Sequence, residues 1–144
     1  MSAGKNRVFL DTNVLVYAWS ESNTPKGARA RSVIRELVSQ NSAVISMQVL
    51  QEFYSVLTTK MNCDKLLAKE AMLGFTRMPL VQTDLALLQQ AIDISILTRL
   101  SFWDALIVAT TEYANCTMLY SEDMNAGQTI RGIRIVNPFS ELTQ

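Results

Sequence analysis

Short apolar runs alternate along the chain with longer stretches whose apolar residues recur every three or four positions, and most switches fall on residues that cap or break helices. Val8, Phe9 and Leu10 form the first run, Asp11-Thr12-Asn13 interrupts it, and Val14, Leu15, Val16, Tyr17, Ala18 and Trp19 follow without a polar break. Asp, Thr and Asn all favour the N-cap position, so this segment reads as a buried strand, a short loop and a helix buried on most sides. Thr24-Pro25 joins a cap to a proline at the first helical position, and Val33, Ile34, Leu37 and Val38 stripe a helix running to about Gln40. Residues 43–45 predict a second strand, and Ser46 caps a helix carrying Val49, Leu50, Phe53, Val56 and Leu57. Asn62 to Asp64 breaks the chain and caps another helix that ends near Gly74. Residues 79–82 suit a third strand, Thr83 opens a long helix to about Leu100, and Ser101 starts one from Trp103 to about Tyr113. The middle of that last helix is apolar from Ala105 to Ala109, as in a helix buried on several sides. Residues 117–120 and 133–136 predict two final strands, with Ser121 to Gly132 as the connection. Strands alternating with helices imply an α/β domain with a mainly parallel sheet and right-handed crossovers.

Composition narrows the class. A chain of 144 residues suits one domain, over residues 1–144, able to bury a real core. At 49% hydrophobic and 18% charged residues it is too apolar for disorder. The longest uncharged stretch, between Glu36 and Glu52, is broken by Ser39, Gln40, Asn41 and Ser42, so no membrane span is expected. The start, Met-Ser-Ala-Gly-Lys-Asn-Arg, leads into only three apolar residues before Asp11, too few for a secretory signal, and a cytoplasmic location is expected. Cys63 and Cys116 lie far apart and read as free thiols.

The absence of histidine changes the picture most. It removes Ser-His-Asp and Cys-His nucleophilic sites, histidine acid-base ribonucleases and imidazole-held zinc or iron. Any catalysis then falls to carboxylates. Lys plus Arg and Asp plus Glu both number 13, so net charge neither points to nucleic acid nor excludes it.

Four acids stand in unusual places. Asp11 follows the first strand, at the carboxyl end where open α/β sheets keep their sites. Glu52 borders an apolar helix face between Val49 and Val56, Asp104 opens the buried helix, and Asp123 lies three residues past Tyr120. Each also has a plain structural use: Asp11 as a helix cap, Glu52 as a solvated border residue, Asp104 as the last member of an S-x-x-D capping box from Ser101, and Asp123 as a turn former. Together they are harder to dismiss, because a parallel sheet can bring all four to one edge. Carboxylates sharing a cleft repel and raise one another's pKa unless a cation neutralises them. Oxygen ligands without imidazole select Mg²⁺ or Mn²⁺, and such a site can activate water against a phosphodiester.

At these residues the sequence resembles a PIN-domain ribonuclease, and specifically the VapC-type toxins of toxin-antitoxin pairs. Leu10-Asp11-Thr12-Asn13, Gln48-Val49-Leu50-Gln51-Glu52-Phe53, Ser101-Phe102-Trp103-Asp104-Ala105-Leu106-Ile107 and Leu119-Tyr120-Ser121-Glu122-Asp123-Met124 carry the likeness, in order, over residues 8–139. The resemblance implies a three-layer α/β/α endoribonuclease with metal held by Asp11, Glu52, Asp104 and Asp123. Thr12, Asn13 and Ser121 are then supporting polar residues, the substrate is RNA, a cognate antitoxin inhibits, and a homodimer is expected. Many relatives carry a further acid two positions after the fourth, where this chain has Asn125; a second ion would be weakly held or would arrive with the RNA.

Two other readings compete. A phosphohydrolase of the haloacid dehalogenase kind would use Asp11 as nucleophile but wants an Asp where this chain has Asn13. A non-catalytic PIN-like interaction module would keep the four acids with nothing to neutralise them, at an electrostatic cost. Lys26, Arg29, Arg31 and Arg35 on one helix, and Lys60, Lys65 and Lys69 on or near another, are candidate phosphate contacts or ordinary solvated faces. Trp19 and Trp103 suit base stacking or packing.

Overall fold

The computed structural model describes residues 6–20 and 23–142; the start of the segment read for targeting, up to residue 5, lies outside them. The alternation read from the sequence folds as β1 (Val8–Leu10), α1 (Thr12–Ser20), α2 (Pro25–Ser39), β2 (Ala43–Ser46), α3 (Met47–Thr59) and α4 (Lys65–Gly74). A turn of 3-10 helix at Phe75–Arg77 leads to β3 (Leu80–Val81) and α5 (Leu85–Leu97). The chain ends with α6 (Phe102–Tyr113), β4 (Met118–Tyr120), β5 (Thr129–Ile130) and β6 (Ile133–Val136).

Caps set several boundaries. The side chains of Thr24, Ser46 and Ser101 accept from the backbone N–H groups of Gly27, Val49 and Asp104, and Asp64 accepts from Leu66 and Leu67, satisfying donors that a helix N-terminus leaves free. At α5 the boundary differs from the expectation. Asp84, not Thr83, is the cap, accepting from Leu87 N–H at 2.9 Å, and the helix stops at Leu97, where Thr98 turns extended. The connection after β4 also holds the short strand β5, which the sequence pattern did not reveal.

The six strands form one sheet in the order β3-β2-β1-β4-β6-β5, parallel except for the β5–β6 pair. Strands β1 and β2 are wholly buried and β4 is buried at Leu119, as expected of a sheet covered on both faces in a three-layer α/β/α fold. Phe9, Leu10, Leu15, Ile45, Phe53, Leu57, Ile107 and Leu119 sit at the centre of the core. Among the helices, α5 packs on α6, and α1 packs on both α2 and α3. Cys63 and Cys116 are free thiols. No described helix is long and apolar enough to cross a membrane.

The register between β1 and β4 positions the site. Leu10 lies opposite Tyr120, so the next residues, Asp11 and Ser121, leave the sheet side by side at its carboxyl edge. From β1 the order runs to β2 and β3 on one side and to β4, β6 and β5 on the other, which makes the β1/β4 border a topological switch point.

Candidate active site

Asp11 is buried, at 7% exposure, and both its oxygens are engaged. Thr12 N–H donates to Oδ1 at 2.7 Å, and the Ser121 hydroxyl donates to Oδ2 at 2.8 Å. Its own N–H donates to Tyr120 O at 3.0 Å, closing the β1/β4 edge. Burial pushes the carboxyl up, the two hydrogen bonds pull it down and the negative fields of Glu52 and Asp104 push it up again, leaving it at about 6. Asp11 therefore does more than begin a helix: it is a desolvated carboxylate among other acids.

Thr12 ties the second acid to the first, its hydroxyl donating to Glu52 Oε1 at 2.6 Å. On the other side, Gln48 Nε2 donates to Glu52 Oε2 at 3.0 Å and to the Trp103 carbonyl at 3.2 Å, fastening α3 to the first turn of α6. That turn carries Asp104. Its N–H is capped by Ser101 at 3.1 Å, so half of the proposed capping box is present. Its carboxyl is nonetheless held above the ordinary value, first by burial and then by repulsion from Asp123 and Glu52, with Ser101 acting the other way.

Asn13 organises the loop after β4. Its Nδ2 donates to Asp123 Oδ2 at 3.2 Å and to Ser121 Oγ at 3.4 Å, while its Oδ1 accepts from Glu122 N–H at 3.2 Å. Asp123 N–H in turn donates to Ser121 Oγ at 3.2 Å. Asn125 is exposed further along this loop, its carbonyl accepting from Gln128 N–H. Beside these residues opens a cleft of about 380 Å³, lined by Thr12, Asn13, Tyr17, Glu52, Glu122 and Asp123 with Val16 and Val56. Glu122 is pushed up by burial but held below its ordinary value by hydrogen bonds from Lys26 and Tyr17, which outweigh it.

The fold thus gathers residues expected from the sequence. Asp11 feels Glu52 and Asp104, and Asp104 feels Asp123 and Glu52. Carboxylates in mutual repulsion, with oxygen donors only, suit a hard divalent cation. As the side chains stand, however, no group of three or more His, Cys, Asp or Glu among the described residues converges closely enough to hold one. Sequence reasoning missed Gln48 and the Tyr17–Lys26–Glu122 network. Gln48 lies one helical turn before Glu52, and that i, i+4 spacing was the available signal. Gln48 Oε1 is buried without a partner, so the amide serves this site through its donor end. Trp103, 60% exposed, rests edge-on against Phe102.

The chain matches the PIN domain family over residues 8–129. Among solved structures it is similar to VapC20 of Mycobacterium tuberculosis, a sarcin-ricin loop cleaving toxin, with 18% identity, a TM-score of 0.62, and 81% of this chain and 89% of that one covered. It is similar to a chain of a toxin-antitoxin complex from Klebsiella pneumoniae, with 16% identity, a TM-score of 0.67 and coverage of 91% and 97%. It is also similar to a chain of VapBC2 from Rickettsia felis, bound to a DNA fragment from their promoter, with 16% identity, a TM-score of 0.69 and coverage of 89% and 96%. No curated protein sequence matches it. At such identities the structural likeness establishes the fold.

Proposed function

This chain belongs to the PIN-domain family, and on that premise we propose that it is a Mg²⁺- or Mn²⁺-dependent endoribonuclease, the toxin of a toxin–antitoxin pair. It would act in the cytoplasm as a single domain over residues 1–144. The observation that carries this reading is the repulsion that Asp11 feels from Glu52 and Asp104, and Asp104 from Asp123 and Glu52, with Glu52 and Asp123 lining one cleft beside the carboxyl edge of the sheet.

Asp11, Glu52, Asp104 and Asp123 would hold the ion. When bound, a divalent ion supplies an activated water and a counter-charge for the phosphodiester undergoing displacement. The chain's own residues do the rest. Thr12 fixes Asp11 through its N–H and Glu52 through its hydroxyl, Ser121 orients Asp11, and Asn13 holds Asp123 at the rim. With Asn125 in place of a further acid, a second ion would rest on fewer charged ligands.

Likeness to chains of toxin-antitoxin assemblies supports an antitoxin as the inhibiting partner. For a homodimer, the supporting feature is the apolar stripe on α5, where Leu85, Ile92 and Ile96 are 69%, 42% and 72% exposed. One observation favours the alternative of a non-catalytic interaction module, namely the open ligand set described above. RNA cleavage separates the two. Purified protein is expected to cut single-stranded or looped RNA in Mn²⁺ or Mg²⁺, to stop in excess EDTA, and to recover when the ion is restored. Cleavage at full rate in EDTA refutes the metal-dependent reading, and no cleavage under any ion favours the module.

A further inference from the structure

Among the described residues none that lines the cleft is cationic, so a polyanionic strand entering it meets carboxylates until it reaches the rim. There Lys26, in the first turn of α2, extends towards Tyr17 and Glu122. Its Nζ donates to Glu122 Oε2 and to the Tyr17 hydroxyl at 3.5 Å, and stands 5.1 Å from the centre of the Tyr17 ring. The Tyr17 hydroxyl donates to Glu122 Oε1 at 2.6 Å. Tyr17 is itself braced by Phe139, ring edge to ring face at 5.1 Å. Glu122 thus places both oxygens in a cradle made of one hydroxyl and one ammonium, donors that equally suit the non-bridging oxygens of a phosphate. The Lys26 side chain is 38% exposed, and ion pairs open to solvent are weakly held, so an incoming anion can replace the carboxylate at small cost.

We propose that Tyr17 and Lys26 form a phosphate subsite for a strand bound in the cleft, with Glu122 as its resident stand-in, displaced when the strand's phosphate arrives. The inference takes the identity of the strand, RNA, from the ribonuclease reading, while the anion cradle itself does not depend on catalysis. Lys26 is a positioning residue: it seats a phosphate beside the carboxylates without touching the reacting atoms.

The test is the affinity of the full chain for a labelled single-stranded RNA oligonucleotide in EDTA, measured by fluorescence anisotropy across a salt series, together with kcat and KM in Mn²⁺. Lys26→Gln is expected to weaken binding about tenfold and to flatten the plot of log affinity against log salt by about 0.7, the share of one single-strand phosphate. It should raise KM more than it lowers kcat, and Lys26→Arg should restore most of the affinity. Glu122→Gln should tighten binding, and that gain should vanish in the Lys26→Gln background, whereas a general field effect would survive there. Unchanged affinity and salt slope in Lys26→Gln, or a Glu122→Gln gain that persists without Lys26, overturns the subsite. Protein that cleaves RNA with the same KM in wild type and Lys26→Gln loses the subsite and keeps the ribonuclease reading. Protein that binds RNA through Lys26 yet cleaves none in Mn²⁺ keeps the subsite and loses that reading.

Discussion

Asp11 is pulled in two directions, and the balance gives a prediction. In the unfolded chain its carboxyl ionises near 3.8, but in the fold burial, aided by Glu52 and Asp104 and opposed by two hydrogen bonds, raises that to about 6. Between these values the folded state holds the proton more tightly, so this group's contribution to stability is full below pH 4 and declines as pH rises through 6. A shift of about two units corresponds to a loss on the order of 3 kcal/mol. Urea unfolding without divalent ions should therefore show Asp11→Asn gaining on wild type between pH 4 and pH 7, and added Mn²⁺ should narrow the gap. A gap independent of pH would refute the account of Asp11. Thr12→Val removes the hydroxyl that fixes Glu52 and is expected to lower RNA cleavage about tenfold or more while leaving the fold intact, read from kcat and a thermal melt. At this scale the four acids stand out in the sequence because each falls at an element boundary or beside an apolar stripe. Gln48 and Glu122 were not, since their decisive partners Trp103 and Tyr17 are 55 and 105 residues away and no local pattern announces them.

Helix starts were the most legible elements, because a cap is a local event between a side chain and a backbone N–H two or three residues on. Thr24, Ser46, Asp64 and Ser101 serve as the sequence suggests. Thr83-Asp84 offers two cap types in succession, and the backbone gives the role to Asp84. Asp84→Ala should accordingly cost about 1 kcal/mol in urea unfolding, while Thr83→Ala should stay within about 0.5 kcal/mol. Equal effects would contradict that assignment. Strand β5 was hidden for a different reason. It is two residues long, and its hairpin with β6 turns through Arg131 and Gly132, both at positive φ. Glycine adopts that conformation readily, but arginine seldom does, so the dipeptide gives a weak turn signal.

For the whole molecule, the α/β class followed from the alternation of elements, but the strand order did not. Short apolar runs of similar character carry no label for their neighbours, and the pairing of β1 between β2 and β4 is decided by packing across the whole core. That order sets Asp11 beside Ser121 at the carboxyl edge, where the hydrogen bonds of Thr12 to Glu52 and of Gln48 to Trp103 bring α3 and the first turn of α6. The ligand set among the described residues is open as it stands, so the central claim is that a divalent ion draws these acids together. Calorimetric titration of the full chain with Mn²⁺, comparing wild type with Asp104→Asn and Glu52→Gln, tests it most directly. The account predicts saturable binding by wild type that each substitution weakens about tenfold or more. Binding that neither substitution changes, or no binding by wild type at all, would contradict it.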